Sequence, residues 1–159
     1  MIQILDKTKK KKVIEIISKF GIQKIPYLLL RTGKERIRIY SGSLSNEEII
    51  KIQNLLPIEG IGLYFGKEID NQIRLNIDAI HVLKDQISDF IVELNTFQET
   101  DWLHGRDIIL DAEQQEKYKS FKGFVIVKTG EDFVGTGKIS TDRKIVFSFL
   151  SKARRIKSN

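Results

Sequence analysis

The sequence predicts an α+β protein in two parts, an N-terminal α+β domain packed on a small C-terminal β-barrel. Three observations lead there. Apolar residues recur at helical spacing in some segments and alternate in others, in 159 residues that are 41% hydrophobic and 30% charged. Helices and mainly antiparallel strands are mixed over residues 1–95. Beyond them, over residues 96–159, short strands follow one another with tight turns, which is the pattern of a small barrel. That second part is short for an independent core, so it is expected to pack on the first.

The elements follow in order. Val13, Ile16, Ile17 and Phe20 fall at i, i+3, i+4 and i+7, and Gly21 stops that helix. Residues 25–30 are apolar, residues 31–34 can turn, and residues 35–40 alternate with Ile37 and Ile39 on one face and Arg36 and Arg38 on the other. Ser45 with Glu48 forms a capping box that opens a helix bearing Ile49, Ile52 and Leu56, and Pro57 ends it. Residues 60–66 read as a strand with glycines for close approach or a bulge, Asp70-Asn71 as a turn, and Ile73, Leu75 and Ile77 as the returning strand. A short helix over 78–84 and a strand over 89–94 complete the first part. In the second part, residues 96–105 read as a short helix or turn carrying the only tryptophan, Trp102, followed by a strand over 108–110 and a polar helix over 112–119. Three strands over 124–128, 132–140 and 144–150 close the chain.

Composition excludes several chemistries. There is no cysteine, so disulfides, cysteine zinc sites, iron–sulfur clusters and thiol mechanisms are ruled out. The longest apolar run is too short to span a bilayer, and the start lacks the order of a signal peptide. A cytoplasmic protein without a membrane partner is expected. The carboxylates lack metal-ligand spacing, and Gly60-Ile61-Gly62 and Gly135-Thr136-Gly137 lack the third glycine of a dinucleotide fingerprint. No metal or cofactor is expected. The glycines read as a bulge or tight packing, or as bare strand against which a nucleic-acid backbone could lie.

Charge placement points to a partner. The net charge is +6. Residues 1–132 carry 20 basic and 20 acidic side chains. The imbalance therefore lies in residues 133–159, where Lys138, Arg143, Lys144, Lys152, Arg154, Arg155 and Lys157 face the single acid Asp142. A one-signed segment of this kind is the footprint of a polyanion binder. In a strand, Lys152 and Arg154 would share one face and Arg155 and Lys157 the other, so the segment is expected to leave the sheet and wrap a ligand. Trp102, Tyr118 and Phe121 are candidate stacking rings as well as candidate core. Lys9-Lys10-Lys11-Lys12 sits where cations oppose the helix dipole, and reads either as a solvated leading turn or as a second phosphate contact. The only histidines, His81 and His104, read as structural residues, and an acid–base pair acting on RNA is the alternative.

The order Trp102-Leu103-His104-Gly105-Arg106-Asp107-Ile108, Gly123-Phe124-Val125-Ile126-Val127, Phe133-Val134-Gly135-Thr136-Gly137-Lys138 and a basic end resembles the PUA domain, a small RNA-binding barrel. Upstream, residues 60–67 and 73–77 resemble the pre-PUA domain of small ribosome-biogenesis factors. The ending Phe149-Leu150-Ser151-Lys152-Ala153-Arg154-Arg155-Ile156 is similar to the C-terminal PUA-like region of the Fmu (Nop/Sun) ribosomal RNA cytosine methyltransferases, and the whole is similar to stand-alone archaeal proteins of that kind. The resemblance implies RNA binding by the last strands and the basic tail, hence at Lys138, Lys152, Arg154, Arg155 and Lys157. It implies no catalysis, because cytosine-5 RNA methylation needs a cysteine that this chain lacks.

The function expected is a non-catalytic RNA-binding protein of ribosomal RNA processing, modification or ribosome biogenesis. Its phosphate contacts are Lys138, Arg143, Lys144, Lys152, Arg154, Arg155 and Lys157, and its RNA is ribosomal or transfer RNA. The alternatives are an adaptor that positions RNA for a separate methyltransferase or docks on ribosomal proteins, and an RNA-cleaving enzyme using His81 and His104.

Overall fold

Alternating segments become strands and helically spaced ones become helices in the computed structural model, which describes residues 1–158. The chain divides into two units, Met1–Ile87 and Ser88–Asn159.

The first unit is an antiparallel meander, β1 (Ile2–Ile4), β2 (Leu28–Thr32), β3 (Arg36–Tyr40), β4 (Leu63–Ile69) and β5 (Gln72–Leu75), with the strands adjacent in chain order. Helix α1 (Lys7–Ile17) lies against β5 and α3 (Ile77–Val82) against β4. Asp6 caps α1 by accepting from the Lys9 N–H, and a 3-10 turn over Ser18–Phe20 carries the chain to Gly21 at φ 93°. Val13, Ile17 and Phe20 are buried. Ser45 and Glu48 form the expected capping box of α2 (Asn46–Leu55). Of its apolar residues only Ile49 is buried, whereas Leu56 is 60% exposed. The strand β1 has no counterpart in the sequence reading, since three residues are too few for an alternation to show.

The second unit is a mixed five-stranded sheet that curls into a half-barrel, ordered β6 (Ile91–Glu93), β8 (Gly123–Thr129), β9 (Asp132–Ile139), β10 (Ile145–Ser148) and β7 (Ile108–Ile109). Helices α4 (Thr96–Leu103) and α5 (Ala112–Lys117) complete it. Its core holds Val92, Trp102, Ile108, Leu110, Tyr118, Val125, Val127, Ile139, Val146 and Leu150. The division between the units precedes the expected boundary after residue 95. The strand β6 pairs in parallel with β8, Ile91 opposite Ile126, and delivers Val92 to the second core. Nothing in its own three residues says which sheet will claim it.

Candidate nucleic-acid interface

Side-chain alternation sorts β9. Ile139 faces the core together with Val146 of β10 and Val125 and Val127 of β8. Lys138 takes the opposite face. The register sets it between Phe124 of β8 and Phe147 of β10, so the three form one row across the sheet. Lys138 is exposed, with Nζ 5.9 Å from the centroid of the Phe124 ring. Phe149 meets the same ring edge-on at 5.8 Å.

The β9–β10 turn is closed by its own polar groups. Ser140 Oγ donates to Asp142 Oδ1 at 2.6 Å, and the Lys144 N–H donates to the same oxygen at 3.1 Å. These bonds, the Ser140 hydroxyl first, hold the Asp142 carboxyl below the ordinary carboxylate range. Arg143 adopts φ 56°, donates from Nε to the Phe121 carbonyl at 3.2 Å and from Nη1 to the Thr141 carbonyl at 3.0 Å. Its guanidinium is thus partly committed to the turn, while the Lys144 side chain is exposed.

After β10 the Phe149 N–H donates to the Thr136 carbonyl and Leu150 is buried. A 3-10 turn over Lys152–Arg154 follows. Arg155 is half-buried and donates from Nε to the Leu150 carbonyl at 3.0 Å. Its side chain crosses Gly105, where φ is 78° and an added Cβ would stand 2.2 Å from Arg155 Nε. The Ile156 N–H donates to the Leu103 carbonyl at the end of α4. The tail is therefore pinned, in contrast to the free wrapping segment expected from its two-faced charge. Lys152, Arg154 and Lys157 are exposed. The turn and the tail lie at opposite ends of β10. Lys144 and Ser148 are four steps apart, about 13 Å at strand rise. The cations thus run as a string along β10, with Lys138 beside it, and do not crowd into one cluster.

Residues 90–156 match the family model described as the methyltransferase RsmF PUA domain. The second unit contains a PUA domain. Over the whole chain the fold is similar to the structure of a conserved PUA domain protein from Thermoplasma acidophilum, with a TM-score of 0.60 and 15% identity over 97% of each chain. At that identity the likeness speaks for the fold. Comparison with curated proteins gives no significant match. The PUA domain is a general RNA-binding module.

Within this PUA domain the candidate stacking rings are core. Trp102 and Tyr118 are 0% and 2% exposed. The Tyr118 hydroxyl accepts from the Glu93 N–H, and Phe121 stacks on Phe90 with centroids 4.8 Å apart. The glycines of β9 serve Trp102. The β8–β9 pairing shifts register at Val127/Lys128, and the Val134 carbonyl in that bulge accepts from Trp102 Nε1 at 3.0 Å. A Cβ on Gly135, at φ 144°, would stand 3.1 Å from Trp102 Cζ2, and one on Gly137 would stand 2.4 Å from Val146 Cγ1. The room left by Gly135 is filled by indole, which corrects the reading of a bare strand open to a nucleic-acid backbone.

The two histidines lie in different units, His81 at the end of α3 and His104 as the C-cap of α4, where its Nδ1 is 2.8 Å from the Thr100 carbonyl. Of the lysine run, Lys10 donates from Nζ to the Tyr27 carbonyl at 2.7 Å, and Lys9 stands 3.9 Å from Asp6. Lys11 and Lys12 are exposed. No helix among the described residues is long and apolar enough to cross a membrane. Phe147, Phe149 and Ile109, none of them among the candidate stacking rings, are 42%, 39% and 76% exposed. The signal was there: the aromatics of 147 and 149 are in phase with each other and out of phase with the core residue Val146.

Proposed function

We propose that the chain is a non-catalytic RNA-binding protein that acts on ribosomal RNA during processing or modification, with a pre-PUA-like first unit. The observation that carries this reading is that the segment matched by the PUA family model, residues 90–156, holds six of the seven basic side chains that face a single acid over residues 133–159. Lys138, Lys144, Lys152, Arg154 and Lys157 contact phosphates. Arg143 and Arg155 add charge while holding the turn and the tail in place. Phosphate contacts supply most of the affinity, and unstacked bases supply any preference for sequence.

The test is RNA affinity as a function of salt. Four to six cations on a single strand, each releasing about 0.7 counterion, give a slope of log K against log salt of roughly −3 to −4. Affinity that does not change with salt would reject the site. A second reading, an adaptor for a separate RNA methyltransferase or for ribosomal proteins, is favoured by the exposed apolar residues Ile50, Leu55 and Leu56 of the first unit. Sedimentation with such a partner, before and after nuclease, separates protein docking from association through RNA.

A further inference from the structure

Phosphate binding gives the cations a role but leaves the exposed aromatic beside them without one. Phe147 stands opposite Lys138 in the register, and Ile145, on the same face, stands opposite Ile109 of the edge strand β7. Phe147 and Ile109 are 42% and 76% exposed, although the core of the PUA domain lies on the other face of these strands. An apolar ring left in water beside a cation costs hydration free energy unless something covers it. Lys138 has no carboxylate partner among the described residues. At the β7 end, Asp107, one residue before that strand, accepts from the Ser148 N–H on Oδ1 at 2.9 Å. The surface therefore has direction, with positive charge toward β9 and negative charge toward β7.

We propose that Phe147 is a platform for an unpaired nucleobase of RNA, with Ile109 bordering the base and Lys138 holding the adjoining phosphate on the side away from Asp107. This rests on the RNA-binding reading and adds the form of the ligand, a single strand with an accessible base face. A paired base keeps its faces stacked within the helix and cannot offer one to Phe147. Ring-on-base stacking tolerates any base, so the site selects strandedness above sequence. Charge complementarity picks nucleic acid as the occupant, because an apolar protein surface would leave Lys138 unpaired at the contact.

The experiment measures affinity of the full chain for a labelled single-stranded RNA of mixed sequence and for the same strand annealed to its complement. The parent binds the single strand more tightly. Phe147→Ala and Phe147→Leu each lose roughly five- to hundredfold on the single strand with an unchanged salt slope. Phe147→Trp retains affinity, and Lys138→Gln lowers the magnitude of the slope by about 0.7. Thermal unfolding of each variant controls for folding. Should Phe147→Ala not fold, the Leu and Trp variants decide. Leu binding as well as the parent overturns the stacking site, as does a preference for duplex. Loss of self-association in Phe147→Ala with RNA affinity intact overturns it in favour of a protein contact. A parent that binds no RNA at low salt overturns the broader reading as well, so the two failures are distinguishable.

Discussion

Gln98 and Gln114 pair their side-chain amides reciprocally, each Nε2 standing 2.8 Å from the other's Oε1. Each glutamine also closes the capping box of its own helix, Gln98 with Asn95 on α4 and Gln114 with Asp111 on α5. Gln98 Nε2 reaches the Ile109 carbonyl at 2.8 Å, and Gln114 Nε2 reaches the Glu93 carbonyl at 3.1 Å. One pair of amides thus joins two helix starts to both edge strands of the PUA sheet. Because Gln98 is 7% exposed, water does not replace a lost partner.

A double-mutant cycle tests this link. Gln98→Ala and Gln114→Ala are each expected to lower unfolding free energy by about 1–3 kcal/mol. Their effects should fall short of additivity by roughly 0.5–3 kcal/mol, as for residues in one network. Denaturant melts of the two single variants and the double variant give the coupling, and strict additivity counts against the shared network.

Trp102 and Gly135 form a second interlock. Gly135→Ala places a Cβ against the indole at a backbone angle that side chains rarely adopt, and is expected to cost about 1–3 kcal/mol. Trp102→Phe leaves the Val134 carbonyl without its indole donor, for a further loss of about 1–3 kcal/mol. Both are read from thermal or denaturant unfolding. A Gly135→Ala protein as stable as the parent would show that the bulge relaxes freely.

The tail separates structural from purely electrostatic cations. Lys157→Gln is expected to lower the magnitude of the salt slope for single-stranded RNA by about 0.7 and to leave the melting temperature unchanged. Arg155→Lys keeps the charge but loses the Nε bond to Leu150, so it should loosen the tail while leaving the slope near that of the parent. Hydrogen exchange at the Ile156 amide, which donates to Leu103, reports the loosening.

The β9–β10 turn carries a pH dependence. Its Asp142 carboxyl titrates lower in the folded chain than in the unfolded one, chiefly through the Ser140 hydroxyl. The unfolded form therefore binds the proton first, and the stabilisation is complete above the ordinary carboxylate range. It fades as pH falls through the lowered folded value. Exchange at the Lys144 amide should accelerate in that acidic window relative to distant amides, and Asp142→Asn should remove the transition. A Lys144 amide that ignores pH throughout the window would contradict the assignment.

Much of the architecture was legible in local pattern. The Ser45–Glu48 box, the Gly21 stop and the hairpin turn at Asp70-Asn71 depend on neighbours in the chain, so spacing alone reveals them. The charge segregation behind the candidate site is likewise a property of composition and needs no coordinates. The membership of β6 was not legible, because Ile91–Glu93 is equally apolar whichever sheet receives it. Nor was the duty of Gly135, whose partner Trp102 lies far away along the chain.

The amino-acid order by itself determined the α+β class, the place of most helices and strands, the absence of thiol chemistry and the concentration of positive charge near the C-terminus. These follow from periodicity, capping and counting, which act over a few residues or need no geometry at all. Only the tertiary structure decided which aromatics fill the core and which face water, that Arg143 and Arg155 spend hydrogen bonds on the backbone, and that Phe147 sits opposite Lys138. The physical reason is register. A shift of one residue between β9 and β10 would exchange the faces of Val146 and Phe147 relative to Lys138, and that register is set by contacts between strands.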